Sequence, residues 1–180
     1  MISNDLNHRL RRLEDIRAVE LLMQKHAFFI DTSQYESIID LYASDAVIEF
    51  SIESLPNCGI YRGKEQIVMF HRDWLGSLEG RWVSHNVLNP LIEVEGDWAT
   101  GIVYFIAMTM YGPTPEEKMA YWTHSRMDNI YQRIGGKWFI KRERIFFNIC
   151  RSPYDKGWHK EGFMNPLKPG QPQQPRLVSQ

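Results

Sequence analysis

An α+β fold, with helices packed on one face of a curved antiparallel sheet, is what this sequence predicts. Three observations carry the expectation. Apolar residues recur at three- and four-residue steps only as far as Leu75. From Trp82 onward, β-branched and aromatic residues dominate. The long stretches in that second part are separated by Gly-containing turns, which makes the strands consecutive neighbours. A chain of 180 residues fits one domain with a sizeable core.

Residues 1–12 are polar and basic and read as an arm or a short helical lead-in. The domain proper spans 13–149. Leu13, Ile16, Val19, Met23, Ala27 and Ile30 form one stripe of an amphipathic helix that ends near Asp31. Ser33-Gln34-Tyr35-Glu36 has capping-box form, so a second helix begins at Gln34 and turns Ile38, Ile39, Leu41 and Tyr42 inward. Ala46 to Ile52 is a short strand, Pro56, Asn57 and Gly59 a loop, and Lys64 to Leu75 a third helix after Gly63. Trp82 to Val94 is a strand with a bend or bulge at Asn89-Pro90. Glu95-Gly96-Asp97-Trp98 turns it into the strand Ala99 to Tyr111. Gly112-Pro113-Thr114-Pro115 breaks that strand. Met119 to Ile134 follows, and Gly135-Gly136 leads into Lys137 to Ile149.

Five of the nine prolines lie from Pro153 onward, so the 150–180 extension does not pack as an element of its own. Its Trp158 and Phe163 favour wrapping around a neighbouring subunit, since a free tail has no use for exposed aromatics.

The formal net charge is −1 and no long run of one sign occurs. Nucleic acid and anionic membrane surfaces, which call for a basic patch, are therefore not expected partners. No apolar stretch approaches a spanning length, and the start lacks the apolar core of a signal peptide. Cys58 and Cys150 are too few and too far apart for a disulfide framework and suit a reducing cytoplasm. Six Trp, eight Tyr and nine Phe exceed what strands alone need, which fits a domain enclosing an apolar, ring-bearing ligand.

No paired His/His or His/Glu metal spacing, Cys pair, P-loop or dinucleotide motif occurs, so no metal and no cofactor is expected. Chemistry would fall to side chains. Asp31 closes the run Phe28-Phe29-Ile30-Asp31, and His85 lies inside Trp82-Val83-Ser84-His85-Asn86-Val87. An imidazole takes a proton while a carboxylate orients its ring and stabilises its cation. Taken singly, Asp31 also suits a helix-ending cap, and His85 an ordinary core histidine. His26 stands on the inner stripe where a large apolar residue is expected, as a pocket donor or as a histidine satisfied by a backbone carbonyl. His124 and Arg126 share a strand face with Trp122 and Asp128. Facing inward, Arg126 would hold a leaving oxygen or a phenolate; facing outward, the pair is surface charge. Alternation leaves both open. Tyr42, Tyr61 and Tyr104 are candidate pocket hydroxyls or core tyrosines with solvated tips.

The long first helix into Phe29-Ile30-Asp31, Leu41-Tyr42-Ala43-Ser44-Asp45-Ala46-Val47, Gly59-Ile60-Tyr61-Arg62-Gly63-Lys64-Glu65-Gln66-Ile67, His85-Asn86-Val87-Leu88-Asn89-Pro90, and Asp128 with Arg133-Ile134-Gly135-Gly136-Lys137-Trp138-Phe139-Ile140 together resemble the SnoaL-like branch of the nuclear transport factor 2-like superfamily. The resemblance covers about residues 13–149. It implies a cone-shaped α+β barrel with helices on the concave face of its sheet. The family contains enzymes, cyclases, ligand-binding domains and dioxygenase β subunits, so it specifies a fold more sharply than a function. Scytalone dehydratase, hexachlorocyclohexane dehydrochlorinase and bile-acid dehydratases in it share an Asp–His dyad, which falls on Asp31 and His85. His26 stands where relatives commonly carry a pocket Tyr or Lys. Ala107 and Phe147 stand where the bile-acid enzymes carry an acid and a basic residue, so the substrate-reading residues do not carry over.

The resemblance implies a cofactor-independent lyase acting on a small apolar, aromatic or polycyclic molecule. His85 would abstract a proton, and a hydroxyl, halide or one-carbon fragment such as formaldehyde would leave. A role in the catabolism of aromatic compounds and a homo-oligomer, a trimer by preference, follow from the same likeness. The rival is a non-catalytic small-molecule-binding domain or dioxygenase β-like accessory subunit, with a cofactorless isomerase or cyclase as a third form.

Overall fold

The computed structural model describes residues 2–50, 59–78, 80–112 and 119–151. Helix α1 (Ile2–Asp31) contains no Gly or Pro, so nothing interrupts its backbone ladder over 30 residues. Residues 2–12, expected as an arm or a short helical lead-in, are thus the first part of this helix. Its Leu6, Leu10 and Leu13 remain exposed, and burial begins only further on, at Val19, Leu22, Met23, His26 and Ile30. Leu13 accordingly drops out of the inner stripe. Helix α2 (Tyr35–Ile38) continues as a 3-10 turn (Ile39–Leu41) that buries Ile38 and Leu41. Helix α3 (Gly63–Phe70) runs into a π turn (His71–Leu75).

Among the described residues, six strands form one sheet: β1 (Tyr42–Phe50), β2 (Ile60–Arg62), β3 (Trp82–Glu95), β4 (Trp98–Tyr111), β5 (Met119–Ile134) and β6 (Lys137–Arg151). Their order is β2-β1-β6-β5-β4-β3, and the sheet is curved but not closed. The meander from β3 to β6 is antiparallel as expected. The sheet as a whole is mixed, because β1 lies parallel to β6 with Ile48 opposite Glu143. Parallel pairing needs a long return path, and here the whole meander provides it. Strand β1 starts at Tyr42, earlier than expected, and β2 was not anticipated; three residues are too few to show alternation.

The bend expected at Asn89-Pro90 is a bulge: the β3–β4 register shifts between Leu88 and Leu91, and Asn89 has φ 48°. Its consequence is a change of face. Val83, His85 and Val87 point inward before it, and Ile92 and Val94 join the core after it. At the other end of the sheet, Asp15 of α1 accepts hydrogen bonds from Arg133 (2.7 Å) and from the Trp138 indole (2.9 Å). Arg133 also donates to Asp97 and to the Gly96 carbonyl, so one cluster ties α1 to both hairpin turns.

Pro56 and Asn57, the break at Pro113-Thr114-Pro115, and the extension beyond Arg151 with Trp158 and Phe163 lie outside the described residues. No helix among the described residues is long and apolar enough to cross a membrane.

Candidate active site

Helix α1 ends where Thr32 turns back on it. The Thr32 hydroxyl donates to the Phe28 carbonyl at 2.7 Å, and Ser33 adopts a left-handed φ of 58°. Arg81 holds this end against the sheet by donating to the Ile30 carbonyl and to the Ser33 hydroxyl, each at 2.9 Å. The last helical residue, Asp31, is thereby presented to the first long strand.

The Asp31 carboxylate uses both oxygens on one residue. Its Oδ1 lies 2.6 Å from His85 Nδ1, and its Oδ2 accepts the His85 backbone N–H at 2.9 Å. A carboxylate accepts only, so Nδ1 carries a ring proton, and in the neutral ring Nε2 keeps its lone pair. His85 lines a cavity of about 120 Å³, near the size of engineered apolar cavities of roughly 150 Å³ that take up benzene. Phe50, Phe70, Phe105, Met127 and Phe147 give it aromatic and apolar walls. Its polar lining is His26, His71, His85, Thr109 and Thr123, and no Lys or Arg is among the described lining residues.

Behind the cavity lies a buried polar layer. His26 Nε2 is 3.1 Å from the Tyr42 hydroxyl, which in turn is 2.5 Å from Glu143 Oε2. His71 donates Nδ1–H to the Ile67 carbonyl at 2.8 Å and stands edge-on to His26, ring centroids 5.2 Å apart. Burial disfavours charge throughout. It lowers the pKa of His26 to about 3, helped by nearby His85, and lowers that of His71 to about 3, helped by His26. It raises Glu143 above the ordinary carboxylate value and Tyr42 well above the ordinary phenol value.

The structure brings together Asp31, His85, His26 and Tyr42 of the candidates, with Tyr42 behind His26 and off the cavity surface. Tyr61 backs the wall, its ring 4.4 Å from that of Phe70. Tyr104, His124 and Arg126 do not join the site. Val103, Phe105 and Ala107 of β4 and Thr123 and Met127 of β5 face the cavity, so strand alternation turns the three candidates to the opposite face. There Tyr104 and His124 rings lie 5.9 Å apart, and Arg126 pairs with Asp128 at 2.6 Å over Phe146. Arg126 is therefore not a group for the leaving oxygen. His71 and Glu143 were not legible as site residues. Glu143 sits in Lys141-Arg142-Glu143-Arg144, which reads as a solvated charge run. A register irregularity between Ile140 and Arg142 turns it inward to complete burial.

The two neutral histidines make the fold acid-sensitive. The unfolded chain binds protons at these rings near the ordinary value of 6.5, whereas the folded chain resists until about 3. Stability therefore rises with pH across that window and is lost on acidification. Glu143 acts in the opposite sense, since its raised folded value favours the folded state at low pH and that contribution is lost as pH rises. Two rings against one carboxyl leave a net loss on acidification. Urea midpoints should fall between pH 7 and pH 5, and His71→Gln should flatten the slope. A midpoint independent of pH in wild type would rule this out.

The SnoaL-like domain family matches residues 11–144. No curated protein matches the chain. Among solved structures, a hexachlorocyclohexane dehydrochlorinase (LinA) type 2 is 19% identical at a TM-score of 0.69, covering 86% of this chain and 99% of its own. A protein provisionally named a scytalone dehydratase, from Novosphingobium aromaticivorans, is 18% identical at 0.69, covering 88% and 97%. The LinA-type3 dehydrochlorinase of Novosphingobium barchaimii is 18% identical at 0.69, covering 84% and 98%. At these identities the likeness is one of fold.

Proposed function

Because the chain belongs to the SnoaL-like domain family, we propose that it is a cofactor-independent lyase, in which His85 removes a proton from a neutral, single-ring or larger aromatic substrate and a β-leaving group departs. The observation that supports this reading is the double contact of Asp31 with His85 at the rim of an apolar, aromatic-walled cavity. Asp31 fixes the Nδ1–H tautomer, so Nε2 is the base, and it pairs with the imidazolium once the proton arrives.

Two outcomes use the same base. In dehydration, Nε2 takes a proton from carbon, a C=C bond forms and hydroxide leaves. In carbon–carbon cleavage, Nε2 takes the hydroxyl proton of a CH₂OH group. Formaldehyde departs, and the freed electron pair forms the C=C bond as a neighbouring hydroxyl leaves.

A library of neutral aryl β-hydroxy ketones and aryl propanediols tests this. Absorbance of the conjugated product and trapped formaldehyde distinguish the two outcomes. Turnover that slows on deuteration of the abstracted position supports the lyase. Saturable binding across the library with no product from any member supports a binding domain instead.

A further inference from the structure

We propose that Glu143, Tyr42 and His26 form a proton-delivery chain from the buried core to the cavity, with His26 Nδ1–H protonating a departing oxygen. The proposal rests on the elimination reading above and narrows its leaving group to oxygen rather than halide.

A departing halide needs its negative charge compensated but needs no proton. A departing hydroxide needs a proton, because water leaves far more readily. No described lining residue is a Lys or Arg, and burial keeps both His26 and His71 neutral. Among the described residues, charge compensation by a resident cation is therefore not what the wall offers. Protonation is, provided a source exists.

Glu143 is that source. Its side chain is fully buried, and its Oε1 has no hydrogen-bond partner among the described residues. An ionised carboxylate enclosed in this way carries a desolvation cost, and burial accordingly favours its protonated form. In the proposed chain the protonated carboxyl donates across its 2.5 Å contact with the Tyr42 oxygen, which frees the Tyr42 hydroxyl to donate to His26 Nε2, 3.1 Å away. The remaining His26 proton must then sit on Nδ1. His26 lines the cavity while Tyr42 does not, and no described residue bonds Nδ1.

The protons balance. As the C–O bond breaks, the Nδ1 proton joins the departing oxygen to make water. The Tyr42 proton moves to Nε2, and the Glu143 proton moves to the Tyr42 oxygen. Glu143 is left as a carboxylate accepting from Tyr42, while His85 holds the substrate proton against Asp31. Afterwards His85 gives one proton to solvent and one returns along the chain to Glu143, so none is consumed. Tyr42 and Glu143 act through His26 and are positioning residues. The edge-on His71 ring, itself fixed by the Ile67 carbonyl, limits rotation of His26.

Two probes with the same product separate this from a structural role. 4-Hydroxy-4-phenylbutan-2-one must lose hydroxide, whereas its 4-acetoxy ester loses acetate, which needs no proton. Glu143→Gln and Tyr42→Phe should each lower the ratio of kcat/KM for the hydroxy over the acetoxy probe by about 100-fold. Equal losses on both probes would overturn the chain. A second measurement needs no turnover. Long-range ¹H–¹⁵N NMR should find His26 as the Nδ1–H tautomer, and infrared spectra at neutral pH should contain a protonated-carboxyl band absent from Glu143→Gln. An Nε2–H tautomer with an ionised Glu143 would overturn the chain even if neither probe reacts. Failure of both probes with the expected spectra would overturn the elimination reading alone.

Discussion

Asp31→Asn is expected to lower kcat/KM by about 10²- to 10⁴-fold, the usual range for a positioned general base, on any substrate the library identifies. The reason is local. Both Asp31 oxygens accept, one from the His85 ring and one from the His85 backbone. An asparagine has one acceptor and one donor for two donors. If its oxygen keeps the backbone N–H, its amide nitrogen donates to Nδ1 and drives the ring proton to Nε2, the atom that should act as base. His85→Ala should cost as much, and the double variant little more, because the two residues act as one unit. Steady-state kinetics with circular dichroism as a check on folding decides it. Activity within about tenfold of wild type in Asp31→Asn would remove the dyad from the chemistry.

The second large effect concerns stability. Trp138→Ala should destabilise the fold by about 3–5 kcal/mol, the range for removing a buried large aromatic side chain. Trp138 is 4% exposed, its indole donates to Asp15, and Arg133 lies 5.0 Å over its ring. Its loss opens a void and leaves the Asp15–Arg133 pair with water at its back. Trp138→Phe keeps most of the volume and loses the hydrogen bond, so it should cost about 1 kcal/mol beyond any repacking. Chemical denaturation of both variants measures this. An alanine variant as stable as the phenylalanine one would mean that the cluster carries little of the helix's attachment.

Local pattern made the two halves of the dyad and most of the meander legible. Asp31 ends an apolar helical stripe, and the Asn89-Pro90 bulge is announced by its residues. What stayed hidden depends on long-range placement. The parallel pairing of β1 with β6 joins segments about a hundred residues apart and leaves no local trace. Period-two alternation says that His124 and Arg126 share a face, but only Met127 and Thr123 at the cavity reveal which one. Glu143 was concealed by the basic residues beside it, whose own partners are carboxylates elsewhere: Lys141 pairs with Asp45, and Arg142 and Arg144 with Glu49. His71 was concealed by its place in a π turn, where helical periodicity no longer predicts the inward side.

The second half of helix α1 is a beam held at two points. Asp15 fixes one point to the hairpin turns, and Asp31 fixes another to β3. About 24 Å of helix separates them at 1.5 Å per residue. His26 lies within that span, so it cannot slide along the axis without breaking an anchorage. The separation between His85 and His26 is thus set by the fold itself. On the proposed elimination, a substrate would be selected by whether its acidic position and its departing oxygen match a gauge already set.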